Sequence, residues 1–306
     1  MGVLRLGYAH IRVTDIEAAK KHYIQTLGLY PVLDMGTRIY LKGWDEWDHH
    51  SIVLIQGGVG LEKIGFKVNK PEDIDDIEAK ARTFGVTTQR MSKGENPEVS
   101  DGLRITLPST HTVEVYHEQT IVGTATGDIN PELFPMDLRG IGVPRLDHAL
   151  LGCDEVNPTE RFFIDVFGFY QTERVVPDLD HQDVSLASWL SYGNRGHDIA
   201  LLGGPNYSGK LHHVAFTLES FPDVWRAAQI MGIEKVAVDI GPTQHGITRG
   251  KTIYFFDPSG NRNEVFCDGY LAQRDRKTII WTADELGRGI NAVNRTLNET
   301  FTTVLT

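Results

Sequence analysis

Only two cysteines, Cys153 and Cys267, occur in 306 residues. That scarcity excludes a disulfide-stapled scaffold and a cysteine-built zinc finger, and it suits a reducing compartment. Long apolar runs are missing too: no stretch approaches the roughly 20 residues that a membrane-spanning helix needs. The N-terminus has no basic segment leading into a hydrophobic one and a cleavage site, so the cytoplasm is the expected location. Without such a leader, the glycosylation-type triplets Asn294-Arg295-Thr296 and Asn298-Glu299-Thr300 are read as chance matches. Positive charge is in deficit. Against 41 Asp and Glu stand 30 Lys and Arg, a net charge of −11 with no basic cluster, which excludes a nucleic-acid partner held through its phosphates. Gly57-Gly58-Val59-Gly60 lacks the Lys and Ser/Thr of a phosphate loop and reads as a turn.

A hydrophobic content of 41% and a charged content of 23% are those of a globular chain, and the length suits two domains that each bury a core. The pattern is of four similar units, each an alternating strand, an amphipathic helix and two or three further strands separated by Gly, Pro or Asp turns. They cover about residues 5–57, 62–118, 145–203 and 211–268, with a connector at 123–144. Helices are expected from Ile16 to Thr26 behind a Thr14 or Asp15 cap, from Pro71 or Glu72 to Phe84 before Gly85, near Pro158–Val166 and near Pro222–Met231. The residues after Tyr270 form a tail whose DELGRGINAVNRTLNE run is helical in pattern and is expected to cover the open end of the second domain.

The two halves repeat one another. RLGYAHIRV parallels RLDHALLGC and places Tyr8 against His148, while Gly28 matches Gly168 at the same offset. EKIGFKV parallels HHVAFTL and places Lys63 against His213, and THTVEVY parallels NRNEVF and places Glu114 against Glu264. Two neutral imidazoles and one carboxylate on separate strands suit one face of a metal, leaving other positions for substrate and dioxygen, which is an oxygenase-type iron site. Strand alternation lets only one of His212 and His213 face inward, and the repeat register selects His213. In the first half Lys63 carries a positive charge and offers no lone pair, so that copy is expected to be metal-free. An internal duplication with one active copy follows. Asp48-His49-His50 reads as a solvated loop, Asp257-Pro258-Ser259-Gly260 as the hairpin turn that positions Glu264, and Cys267 as buried and inert on the other strand face.

The run GPTQHGITRGKTIYFFDPSGNRNEVF, with RLDHALL, LHHVAFTLE, GHDIALL and the terminal TVLT, closely resembles the extradiol catechol 2,3-dioxygenases of the vicinal oxygen chelate superfamily. The similarity runs over essentially the whole chain and is most specific from Arg249 to Tyr270. It implies an α+β fold of paired βαβββ modules in two tandem domains: an N-terminal one without metal (1–130), a catalytic one (144–270) and a helical tail (271–306) over the latter. It also implies Fe(II), with Mn(II) as the lesser possibility, and a homotetramer.

By the same resemblance His197 is the histidine that meets bound oxygen and moves a proton, a task suited to an imidazole that titrates near neutrality. His245 and Tyr254 are implied to hydrogen-bond the substrate oxygens. Trp189, Ile247 and Phe301 are expected to shape the ring pocket, Ile247 and Phe301 on the resemblance alone. The implied reaction opens the catechol ring beside its diol with O2 and yields a 2-hydroxymuconic semialdehyde. Two other readings compete: a glyoxalase-like isomerase or thiol transferase using another divalent metal, and a metal-free binding module.

Overall fold

The computed structural model describes residues 2–306. Local chemistry sets its elements. After β1 (Val3–Val13) comes Asp15, whose carboxylate accepts from the backbone N–H groups of Glu17 and Ala18 and so starts α1 (Ile16–Lys20). The helix widens into a π-helical segment over Lys21–Thr26 and ends before Gly28, which sits at φ 86°. After β2 (Tyr30–Asp34), β3 (Arg38–Lys42), β4 (Ile52–Gln56) and β5 (Gly60–Val68) comes α2 (Glu72–Phe84), stopped by left-handed Gly85 as expected. β6 (Thr88–Met91), β7 (Gly102–Thr106) and β8 (Thr112–Tyr116) complete the first half.

The second half repeats the pattern with β9 (Arg145–Cys153), α3 (Val156–Asp165), β10 (Tyr170–Val176), β11 (Ala187–Ser191), β12 (Ile199–Gly203), β13 (Leu211–Thr217), α4 (Phe221–Glu234), β14 (Val238–Gln244), β15 (Gly250–Phe256) and β16 (Arg262–Asp268). Two helices are longer than their prolines suggest. α3 begins two residues ahead of Pro158, and α4 runs to Glu234 because Lys235, not a glycine, supplies the left-handed cap.

The first sheet has the strand order β2-β3-β4-β1-β5-β8-β7-β6. The second, read from β10, has the same order: β10-β11-β12-β9-β13-β16-β15-β14. In every module the first strand lies parallel to the last, and the two modules of each half join through their antiparallel first strands. This is the α+β arrangement of paired βαβββ units that the family resemblance implies.

The tail departs from expectation. Ile279–Thr282 forms β17, which adds to the edge of the second sheet parallel to β10. Helix is confined to a single 3-10 turn, α5 (Leu286–Ile290) and α6 (Glu299–Thr303), because Gly287, Gly289 and the Asn-rich stretch beyond them favour turns over a continuous helix. The last residues form a strap: Thr306 exchanges backbone hydrogen bonds with Leu211, at 2.6 and 3.0 Å.

One face of each sheet packs on the long helices; the other face of the second sheet is met by the short tail helices, through Ile290 and Phe301. Ala149, Leu151, Val214, Phe216, Val265 and Cys267 point into a core shared with α3, α4 and the first half, in which Phe66 meets Phe163, Phe167 and Phe169. Burial raises the Cys267 thiol to about 11 and the Cys153 thiol to about 12, so both stay protonated and unreactive. The residues between these positions are left for the opposite face of the sheet. Asp48, His49 and His50 are not a solvated loop: all three are buried, and Asp48 pairs with Arg5 and Lys67. No helix among the described residues is long and apolar enough to cross a membrane.

Candidate active site

Strand register brings the three repeat-matched residues of the second half to one spot. Ala215 on β13 lies opposite His148 on β9 and, on its other side, opposite Glu264 on β16. Residues directly opposite in a sheet share a face, and so does the residue two positions away, which is His213. His148 Nε2 lies 3.1 Å from Glu264 Oε2, His213 Nε2 lies 3.3 Å from the same oxygen, and the two imidazole nitrogens are 3.4 Å apart. All three side chains are buried.

Each of the three is held by a partner behind it, and those partners fix the tautomers. His148 Nδ1–H donates to Asp147 Oδ2 at 2.9 Å, which leaves Nε2 facing inward. The carbonyl of Phe301 can only accept, so His212 carries its proton on Nε2, 2.6 Å away, and its bare Nδ1 takes the Nδ1–H of His213 at 2.7 Å. His213 Nε2 is therefore a free lone pair. Thr252 Oγ1 donates to Glu264 Oε1 at 2.5 Å and turns Oε2 toward the histidines. Three lone-pair atoms at this spacing repel one another unless a cation or a proton lies between them. Without a metal, burial disfavours a charged His148, yet its hydrogen bonds to Asp147 and Glu264 outweigh burial and raise it to about 9. Burial likewise disfavours ionised Glu264, but the hydrogen bond from His148 and the charge on that imidazolium outweigh it and hold its carboxyl well below the usual range.

The donor set fits a divalent ion. Neighbouring ligands about 2.1 Å from an octahedral centre lie about 3 Å apart, close to the spacings found here. Among the described residues these three form the one His/Cys/Asp/Glu group whose ligand atoms converge this closely, within 4.8 Å of one another. The corresponding place in the first half is filled differently. Glu114 accepts from Tyr8 Oη at 2.6 Å, Asn96 Nδ2 at 2.8 Å, Lys63 Nζ at 3.1 Å and Arg104 Nε at 2.9 Å. Gly65 stands where the second half has Ala215, and a Cβ there would come within 2.3 Å of the Tyr8 ring. The phenol thus occupies the space that the other half keeps for a ligand.

Above the trio opens a cavity of about 210 Å³ lined by all nine residues singled out from the sequence: His148, His213, Glu264, His197, His245, Tyr254, Trp189, Ile247 and Phe301. An apolar cavity of about 150 Å³ admits a benzene ring, so this one suits a single ring with small substituents. His245 and Tyr254 flank the trio on the β14–β15 side. His245 Nδ1–H donates to the Ile290 carbonyl, so its Nε2 is the acceptor for the Tyr254 hydroxyl at 2.8 Å. Burial keeps that hydroxyl protonated. His197 flanks the other side with its ring centroid 3.9 Å from that of His148, and burial followed by the charge on His148 pushes its pKa well down. It lies in the loop two residues before β12, not in the strand its surrounding residues suggest.

A profile described as Glyoxalase/Bleomycin resistance protein/Dioxygenase superfamily matches residues 145–265, and one described as Catechol 2,3-dioxygenase-like N-terminal domain matches residues 61–120. Metapyrocatechase of Pseudomonas sp. (strain CF600) is 41% identical over 308 residues, spanning 100% of this chain and 99% of that protein. The chain belongs to the extradiol catechol 2,3-dioxygenase family. The 2,3-dioxygenase LapB from Pseudomonas sp. KL28 shares the architecture of this chain, with a TM-score of 0.88 and 40% identity over 93% of this chain and 99% of its own. A manganese-dependent 2,3-dihydroxybiphenyl 1,2-dioxygenase of Geobacillus genomosp. 3 is 26% identical over 94% of this chain and 93% of that protein.

Sequence reasoning missed the residues that act from behind. Asp147, Arg195 and Thr252 escaped it, and His212 entered only as a substitute for His213. Alternation would have found Leu150, two residues from His148 and on the same cavity wall. Nothing local marks Thr252, whose partner Glu264 lies on the next strand, and the Arg195–Asp198 pair three residues apart gives no hint of Asp147, 48 residues away.

Proposed function

We propose that this chain opens catechol, or a catechol with small substituents, beside its diol with O2, giving a 2-hydroxymuconic semialdehyde-type product, and that Fe(II) held by His148, His213 and Glu264 is its cofactor. The observation that carries the reading is the convergence of two tautomer-fixed imidazoles and an oriented carboxylate on the floor of a ring-sized cavity. A ferrous ion there would supply a template for both substrates and a path for electron density from the diol to O2. The chain's own residues do the rest. Tyr254 and His245 form a hydrogen-bonded pair beside Glu264, able to orient a diol oxygen and to accept its proton. His197, with no hydrogen bond to its ring nitrogens among the described residues and held neutral by burial instead of titrating near neutrality, is placed to take a proton on the opposite side and return it. Trp189, Ile247 and Phe301 hold the ring and exclude water.

In this reading residues 144–270 carry the chemistry, residues 1–130 support them and residues 271–306 close the cavity. The family likeness further supports a homotetramer working in the cytoplasm. Manganese is the second reading for the metal, favoured by the manganese-dependent relative, since the same donors suit either ion. An isomerase or thiol transferase is disfavoured by the two-histidine, one-carboxylate set, and a metal-free binding module has no use for it. The test is direct: protein prepared without air, loaded with Fe(II) or Mn(II), is mixed with catechol in air. A yellow product with stoichiometric O2 uptake is expected, and no uptake with either metal restored would sink the proposal.

A further inference from the structure

The loop at 192–198, between β11 and β12, carries His197 and is staked down at two points by Arg195. One guanidinium nitrogen donates to Asp147 Oδ1 on β9, and the other donates to Asp198 Oδ1 at 2.6 Å. Asp147 uses its second oxygen for His148 Nδ1–H at 2.9 Å, so one buried carboxylate joins the loop to a metal-holding histidine. Asp198 is fully buried and is itself fixed by Ser191 Oγ at 2.9 Å and the Tyr192 N–H at 3.0 Å. His197 lies between Arg195 and Asp198 in sequence. Among the described residues its ring contact is with His148, and no side chain or carbonyl takes a hydrogen bond from either ring nitrogen. With no hydrogen bond to hold it, the ring stands against His148 where the loop backbone sets it.

We propose that Arg195 is a positioning residue for His197: by bridging Asp147 and Asp198 it clamps the loop to β9 and keeps the His197 ring over His148 at the wall of the cavity. The inference rests on the acid–base role assigned to His197 above. A proton-transfer group works only within about 2.6–3.2 Å of the atom it serves, and a misplacement of about 1 Å costs about a hundredfold in rate. A planar guanidinium fork suits two carboxylates held at different angles. Lysine, a single point charge, serves both poorly.

Arg195→Met, His197→Phe and the double variant, each loaded with Fe(II), test this against catechol under saturating O2. His197→Phe should lower kcat by about a hundredfold or more. Arg195→Met should lower kcat by about tenfold or more, with KM for catechol within about twofold and metal content per chain unchanged. The double variant should be no slower than His197→Phe alone, because no ring remains to be positioned. Guanidinium added to Arg195→Ala should restore turnover, and should do nothing once His197 is Phe. In crystals of Arg195→Met the His197 ring should be displaced or spread over several rotamers.

Additive losses in the double variant, loss of metal from Arg195→Met, or an undisturbed His197 ring would each overturn the proposal while leaving the acid–base role intact. Unaltered turnover in His197→Phe would remove that role itself, and the positioning role with it.

Discussion

Thr252 on β15 donates its hydroxyl proton to Glu264 Oε1 across the strand pair, at 2.5 Å, and leaves Oε2 as the oxygen that meets His148 and His213. Partners behind a metal ligand set its orientation, and losing one typically costs about 10–100-fold in metal affinity. Thr252→Val, which keeps the shape of the side chain, should weaken Fe(II) or Co(II) binding by that amount, and Thr252→Ser should restore it. Competition with a metallochromic chelator measures both. Equal affinity in Thr252→Val would show that the carboxylate needs no such anchor.

His213 and His212 are neighbours with different tasks. His213→Ala removes a donor, so metal content and turnover should both be lost. His212→Ala removes the acceptor of the His213 Nδ1–H and the link to the Phe301 carbonyl, so metal should be kept at stoichiometric loading with affinity down about tenfold. Metal analysis after gel filtration separates the two. The opposite ranking would show that the wrong histidine had been assigned to the ion.

The fold was legible because the chain contains it twice. Strand alternation, the Asp15 cap and Gly85 define the first two helices, and the Tyr8–His148, Lys63–His213 and Glu114–Glu264 matches correspond to equivalent places in two sheets of identical order. His148, His213 and Glu264 were readable because strand register converts sequence spacing into shared faces. The tail was not readable: β17 pairs with β10 from a hundred residues away, and no local periodicity announces a lone edge strand. Burial of Asp48, His49 and His50 was likewise hidden, since charged neighbours suggest solvent while Arg5 and Lys67, far along the chain, supply the pairing.

Protons should compete with the metal. In the metal-free protein His148 is raised from an ordinary 6.5 to about 9, so at neutral pH it holds a proton between Asp147 and Glu264 that a metal must displace. Apparent metal affinity should rise about tenfold per pH unit up to about pH 9 and then level off. The stabilisation that this raised pKa gives the metal-free fold is fully present below about 6.5 and fades as pH rises through about 9. Calorimetric titrations in buffers of differing ionisation enthalpy should record about one proton released per metal at pH 7. A metal affinity flat across that window would refute the protonated His148.

Lys63→Met in the first half should leave metal content untouched, since Lys63 and Glu114 lie in the other sheet. Glu114 would keep Arg104, Tyr8 and Asn96 but lose its most buried cation. Breaking a buried pair costs on the order of 3 kcal/mol, so a lower denaturation midpoint with normal metal stoichiometry is expected. Metal loss in this variant would show that the first half holds part of the ion's site.

Phe301 joins the tail to the cavity. Its ring stacks edge-on against Tyr254 and His212, with centroids 5.1 and 4.7 Å away, and the guanidinium of fully buried Arg262 lies 5.5 Å from it. Arg262 also donates to the carbonyls of Thr300 and Val304, both at 2.9 Å, so the strap is held with Phe301 at the wall of the cavity. Phe301→Ala should enlarge a cavity now sized for one ring. Catechol itself would then fit loosely and lose kcat/KM, while catechols with bulkier ring substituents would gain relative to it by about tenfold, the worth of one or two methylenes in an apolar pocket. A substrate panel measured by O2 uptake reads this ratio. If Phe301→Ala left the ratio unchanged while Arg262→Met, which frees the whole strap, altered it, the limit on ring size would belong to the tail backbone and not to the phenyl ring.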